Sequence, residues 1–255
     1  MPDAAAGPAV AGTAAPAVAG RDRLIWPALR AAVERSAPGP AGVRVLDCGG
    51  GSGSLAVPLA ALGAQVVVVD ISIDALATLA RRAEEAGVAD RVVGVQADVE
   101  EVGLRALGED LPAGAQFAAV LAHGVLEGAD DPGAALRRLL DAVAPGGSIS
   151  VVVANPVAAV LGRALGGDLA GALAHLTDRG PALDAASVVA LCAEAGLAVE
   201  AVQGIGVVAD LVPGALLESQ PGAVAALARF EAAAAPLEPY RSIASRQHVI
   251  ARRPG

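Results

Sequence analysis

Glycine occupies positions 49, 50, 51 and 53, directly after the short apolar stretch Val45-Leu46-Asp47-Cys48. Glycines at this density let backbone N–H groups approach a ligand with no side chain in the way. A second apolar run, Gln65–Val69, ends on Asp70, and a carboxylate at the tip of the strand following such a turn suits a ribose diol. A strand, a glycine turn, a helix, a second strand and an acid together outline a nucleoside site.

Asp47 bears on which nucleoside. Gly51-Ser-Gly53-Ser-Leu-Ala56 satisfies the G-x-G-x-x-A pattern that seats a dinucleotide pyrophosphate on a helix N-terminus. Asp47 would then stand near two phosphate charges, and like charges at that range repel by on the order of several kcal/mol at an effective dielectric of about 20. S-adenosylmethionine carries an ammonium and a sulfonium instead of phosphate, and both are favoured beside a carboxylate. Three readings stand at this point: a methyl-donor site, a dinucleotide site, and a glycine-rich turn with no ligand.

The elements that position these residues alternate. The pattern predicts a helix from about Leu24 to Val33, strands at Val43–Leu46 and Gln65–Val69, and helices over 52–62 and 74–86, the second capped near Ser72. Further strands are predicted at Arg91–Gln96 (ending near Asp98), Phe117–Leu121 (followed by His123) and 148–153. A helix opens at Asp131-Pro132, and two late strands are expected at 198–205 and 246–252. Unalternating apolar strands interleaved with helices imply a buried parallel sheet, an α/β fold. Residues 1–20, almost wholly Ala, Gly, Pro and Val, read as a disordered tail. Residues 21–255 read as one domain, with insertions at about 156–180 and 206–240.

Composition sets the limits. Of 255 residues 55% are hydrophobic but only 2% aromatic, so the core must be built from Ala, Val and Leu. Every basic residue is arginine, and the net charge of −9 argues against a strong nonspecific polyanion binder. Acids concentrate in 61–150, whereas the segment from Tyr240 onward holds four Arg and no acid. Cys48 and Cys192 lie in apolar contexts and read as buried free thiols, with no metal-ligand spacing. Neither a secretory leader nor a membrane span is expected, which points to the cytoplasm.

The stretch Val-Leu-Asp-Cys-Gly-Gly-Gly-Ser-Gly resembles the first motif of the class I S-adenosylmethionine-dependent methyltransferases, in which an acid precedes G-x-G-x-G. Leu121-Ala-His-Gly-Val-Leu-Glu127, Arg21-Asp-Arg-Leu-Ile-Trp26 and Glu238-Pro-Tyr240 with Arg246 and His248 are similar to one subfamily. Those are the bacterial tRNA methyltransferases that esterify 5-carboxymethoxyuridine. The resemblance implies a Rossmann-like, mostly parallel seven-stranded sheet with an antiparallel last strand and helices on both faces. It implies a methyl-donor site of Asp47, Gly49, Gly50, Gly51, Gly53, Asp70 and Ile71, with Asp98 and Val99 reading adenine and Arg21 holding the donor carboxylate. His123 would face both donor and acceptor, and Tyr240 and Arg246 would touch the acceptor.

A carboxylate acceptor is already ionised at neutral pH and needs no general base, whereas a phenol or amine calls for one; the candidate bases are His123 and Glu127. A tRNA enzyme should carry a basic rim and stacking aromatics. Yet 156–220 contain only Arg163, Arg179 and His175 as cationic side chains, and no aromatic residue. The acceptor thus stays open between tRNA and a small molecule, with a non-enzymatic nucleoside-binding module as a third possibility. A monomer or homodimer without metal is expected.

Overall fold

A computed structural model describes residues 18, 20, 22–35, 42–100, 116–177 and 183–255. Arg21 and nearly all of the expected tail lie outside the described residues. Helix α1 (Asp22–Arg35) precedes β1 (Arg44–Cys48), α2 (Ala56–Ala61), β2 (Gln65–Asp70), α3 (Ile73–Glu85) and β3 (Val92–Gln96). After the undescribed 101–115 come β4 (Phe117–His123), α4 (Pro132–Asp141), β5 (Val143–Ala154), α5 (Pro156–Leu165) and α6 (Leu169–Thr177). The chain closes with α7 (Ala185–Glu194), β6 (Ala198–Ile205), α8 (Gly214–Ser219), α9 (Ala223–Ala234), α10 (Tyr240–Ile243) and β7 (Arg246–Arg252).

The strands form one seven-stranded sheet in the order β3-β2-β1-β4-β5-β7-β6. The first five strands run parallel, and β7 is antiparallel to both β5 and β6, as the resemblance implies. Strand order reverses between β1 and β4, and ligands of open α/β sheets bind in the crevice beyond the carboxyl ends at such a point.

Side-chain alternation along the strands divides the core in two. Leu46, Cys48, Val67, Val69, Val120, Ile149 and Val151 pack with Leu136, Leu139 and Leu140 of α4 and Val188 and Cys192 of α7. Val45, Val66, Val68, Leu121 and Val152 point to the other face, under Ile25 and Leu29 of α1, Leu59 of α2 and Leu79 of α3. Complete burial of an aliphatic side chain of this size contributes about 1.5–3 kcal/mol. Asp47 has the parity of Val45, so its carboxylate turns toward the α1 side of the sheet.

Some boundaries differ from the sequence expectation. Residues 52–55 are a turn, and α2 begins only at Ala56, because the glycines before it adopt left-handed backbone (Gly51 at φ 54°, Gly53 at φ 78°). Pro58 sits in the first turn of α2, where its missing N–H has no helical partner to lose. Strand β5 starts at Val143 instead of 148, and its pairing with β4 shifts register between Phe117 and Ala119. Ser72 caps α3 by accepting from Ala75 N–H (3.2 Å), and Asp131 caps α4 by accepting from Ala134 N–H (2.9 Å).

Candidate functional site

The carboxyl ends of the parallel strands bring three carboxylates toward the glycine turn. Asp70, the last residue of β2, accepts from Gly51 N–H through Oδ2 (2.9 Å) and from Ser72 N–H through Oδ1 (2.8 Å). It thereby clamps the turn between β1 and α2, and each oxygen keeps a lone pair for a ligand hydroxyl. Gly50 must lack a side chain, since a Cβ there would stand 2.5 Å from Asp47 Oδ2 and 2.9 Å from Val68 Cγ1. The constraint on Gly53 is packing against α3: its Cβ would run into Leu79 Cδ1.

Asp47 is only 2% exposed, and its Oδ2 has no hydrogen-bond partner among the described residues. Burial, then the negative charges of Asp22 and Asp70, push its carboxyl up from 3.8 to about 7. Asp22, the first residue of α1, is a member of this cluster that the sequence did not single out. A buried carboxylate among like charges, with an oxygen left over, can take up a cationic group.

Beside the cluster lies a cavity of about 120 Å³ lined by Gly49, Asp70, Ile71, Asp98, Val99 and Val125, among others. Asp98 sits two residues past the end of β3 and accepts from Glu100 N–H (2.9 Å). Val125 supplies the wall opposite Gly49, where an added Cβ would come within 2.6 Å of it. Sequence reading missed Val125, since an isolated valine after a strand carries no signal.

Further along the same edge, His123 ends β4. It lines a small cavity of about 40 Å³ with Asp22, Ile25, Val152, Ile205 and Arg246. Its Nε2 lies 2.8 Å from Ser150 Oγ, which in turn lies 2.8 Å from His248 Nε2. Burial, followed by the neighbouring His248, lowers the His123 pKa to about 3, so its imidazole is neutral at pH 7. Glu127, the other candidate base, accepts from Ala154 N–H (2.6 Å).

A third and larger cavity, about 940 Å³, opens beside this one. Its lining includes Ala158, Leu161 and Leu165 of α5, Val207 and Leu211 after β6, and Ile243 of α10. Asn155, Asp210 and Ser245 are its polar side chains, and no cationic side chain among the described residues lines it. Val152, Ile205 and Arg246 of the small cavity are followed along the same strand ends by Ala154, Gly206 and Ser245 of the large one. The small and large cavities are thus lined by successive positions of the same strand ends.

The predicted site residues divide accordingly. Asp47, Gly49, Gly50, Gly51, Asp70, Ile71, Asp98 and Val99 surround the β1–β3 end, and His123 and Arg246 meet at the β4–β7 end. Tyr240 lines none of the three cavities; its ring packs edge-to-face on Phe230 at 6.4 Å. Among the C-terminal arginines, Arg241 is held by Glu238 (2.5 Å), Arg252 by Gly146 O (3.2 Å) and Arg253 by Leu140 O (2.8 Å). No group of three or more His, Cys, Asp or Glu among the described residues could hold a metal. No described helix is long and apolar enough to cross a membrane.

The family model for a methyltransferase domain matches residues 21–202, more than half of the chain. The chain belongs to the methyltransferase-domain family. The chain is 30% identical over 135 residues to the tRNA 5-carboxymethoxyuridine methyltransferase of Escherichia coli (strain K12), covering 53% of this chain and 48% of that protein. It is 32% identical over 173 residues to the ubiquinone biosynthesis O-methyltransferase of Xanthomonas axonopodis pv. citri (strain 306), covering 65% and 67%. The chain spans about half the length of the first of these relatives.

Among solved structures, the magnesium protoporphyrin IX methyltransferase of Synechocystis PCC 6803 with bound SAH superposes with a TM-score of 0.59 at 16% identity, covering 91% of this chain and 83% of that one. An S-adenosylmethionine-dependent methyltransferase from Mesorhizobium loti gives 0.56 at 20% identity, covering 92% and 100%. At these identities the likeness establishes the Rossmann-like methyltransferase fold. The unpartnered Asp47 oxygen and the carboxylates around it fit the cationic S-adenosylmethionine, whereas they would repel a pyrophosphate.

Proposed function

We propose that this protein is an S-adenosylmethionine-dependent methyltransferase acting on an oxygen acceptor. The observation that carries the reading is Asp47: buried, flanked by Asp22 and Asp70, and lacking a partner for Oδ2. When bound, S-adenosylmethionine supplies a sulfonium-activated methyl group for in-line displacement. In this reading Asp47 and the Gly49–Gly53 turn hold the cationic methionine end, and Asp70 takes the ribose hydroxyls. Asp98 and Val99 meet the adenine, with Ile71 covering one face of it. Arg21, which lies outside the described residues, is proposed for the donor carboxylate. Alignment of donor and acceptor is then the chief contribution of the protein.

The acceptor we favour is a small molecule with an apolar body, seated in the cavity between α5 and the segment after β6. Its lining, mostly apolar and without a cationic side chain among the described residues, supports that choice. Segments 156–180 and 206–240 are accordingly proposed as the substrate-facing additions to one methyltransferase domain spanning 21–255. The second reading, a carboxylate on a wobble-position uridine of tRNA, is favoured by the identity with the Escherichia coli enzyme and by Arg246 beside His123. The two buried free thiols suit a reducing compartment, so the cytoplasm is the proposed location.

Incubating the protein with methyl-labelled donor and, separately, total tRNA and a small-molecule extract separates the readings. Label in the extract alone supports the small-molecule acceptor, and label in tRNA replaces it with the second reading. Absence of donor binding removes both.

A further inference from the structure

A single row of side chains crosses four strands on the α1 side of the sheet. In register, His123 of β4 stands opposite Val152 of β5, Val152 opposite His248 of β7, and His248 opposite Gln203 of β6. Ser150, two residues before Val152 on the same face, bridges the two histidines at 2.8 Å on each side. Gln203 Nε2 lies 3.0 Å from His248 Nδ1 and 3.2 Å from the Leu24 carbonyl of α1.

Hydrogen-bond accounting along this row has one direction. The Leu24 carbonyl can only accept, so the atom facing it is the amide nitrogen of Gln203, whose other N–H points to His248 Nδ1. His248 Nδ1 therefore accepts, and a neutral ring then carries its proton on Nε2, which donates to Ser150 Oγ. The Ser150 hydroxyl donates its hydrogen bond to His123 Nε2, and the neutral His123 must hold its proton on Nδ1. That Nδ1 is buried and has no hydrogen-bond partner among the described residues. The opposite assignment at His123 would leave two groups unsatisfied, the Ser150 hydroxyl proton and the Nδ1 lone pair, instead of one.

We propose that Gln203, His248 and Ser150 form a positioning relay that locks His123 as an Nδ1–H donor, and that this N–H, with Arg246 beside it, receives the oxyanion of the methyl acceptor. The inference rests on the methyltransferase reading and deepens it: the acceptor arrives already ionised, and His123 holds its oxygen without removing a proton. Arg246 and Asp22 are the charged groups lining the cavity with His123, and the Arg246 guanidinium lies over the strand end, 3.5 Å from where a Cβ on Gly124 would stand. Gln203, His248 and Ser150 act through His123 and are positioning residues.

The chain has only three histidines, so the tautomers can be read directly. Long-range proton–nitrogen spectra of the 15N-labelled full chain, bound to S-adenosylhomocysteine, should show His123 protonated on Nδ1 and His248 on Nε2. Both should stay neutral between about pH 5 and 8. Sodium acetate, used as a carboxylate probe, should shift the His123 Nδ1–H signal saturably. Ser150→Ala should turn His123 into a mixture of tautomers and abolish the acetate shift, with affinity for S-adenosylhomocysteine unchanged within about twofold. A proton on His123 Nε2 in the wild type, an imidazolium in that pH range, or an acetate titration that leaves His123 unmoved overturns the proposal. Failure to bind S-adenosylhomocysteine would instead overturn the methyltransferase reading, so the two failures are distinct.

Discussion

Asp47 illustrates how one buried acid links stability to ligand. Its folded-state pKa of about 7 lies above the 3.8 of an ordinary carboxyl, so the folded chain retains a proton that the unfolded chain releases. Its contribution to stability is therefore fully present below about pH 3.8 and is lost as pH rises through about 7. Asp47→Asn should flatten this part of the stability–pH profile and raise the melting temperature of the ligand-free protein at neutral pH. The same change should weaken S-adenosylmethionine binding by roughly tenfold to a hundredfold, the loss of a charged contact of about 1.5–3 kcal/mol. Melting curves across pH and calorimetric titration check the two halves. Asp70→Ala should weaken donor binding by about 1–3 kcal/mol while also releasing the Gly51 and Ser72 N–H groups that it holds.

At the scale of elements, the late segments are held to the sheet by a few polar anchors. Glu231 of α9 is 4% exposed, and its carboxylate accepts from Val207 (2.9 Å), Val208 (2.8 Å) and Ala209 (2.9 Å) N–H. These N–H groups belong to the loop that lines the large cavity, so Glu231→Ala should destabilise the protein by about 3 kcal/mol. It should raise the KM for the acceptor and leave the donor Kd unchanged; equal damage to donor binding would contradict this division of the site. The two halves also differed in how far the sequence revealed them. At the β1–β2 end, Asp70 closes its strand and Asp47 stands just before a run of glycines, so an apolar run followed by an acid or by glycines drew attention to Asp47, Asp70 and the turn. On the acceptor side Ser150 reads as one small residue in a valine-rich strand. It meets His248, 98 positions away, only through the register of β5 on β7. Asp22 escaped notice for a similar reason: its link to Asp47 is made by the docking of α1, which no spacing in the chain encodes.

For the whole molecule, the β6 and β7 boundaries (198–205 and 246–252) were legible in advance, because apolar runs bounded by turns mark strands wherever they pair, whereas the antiparallel direction of the last strand came from the family resemblance alone. The acceptor was not legible, since the cavity proposed for it is assembled from α5, the loop after β6 and α10, which lie far apart in the chain. In the proposed reading the sheet edge takes a cation at Asp47, an oxyanion at His123 and an apolar body in the large cavity beyond. The central claim is that the carboxylate cluster binds the cationic methyl donor. Calorimetric titration of S-adenosylmethionine at about pH 6, repeated in two buffers of different ionisation enthalpy, tests it most directly. One-to-one binding that releases close to one proton, with the release fading by about pH 8 and absent in Asp47→Asn, is the expected result. No binding at millimolar ligand, or binding whose proton release is the same in Asp47→Asn, would contradict the account.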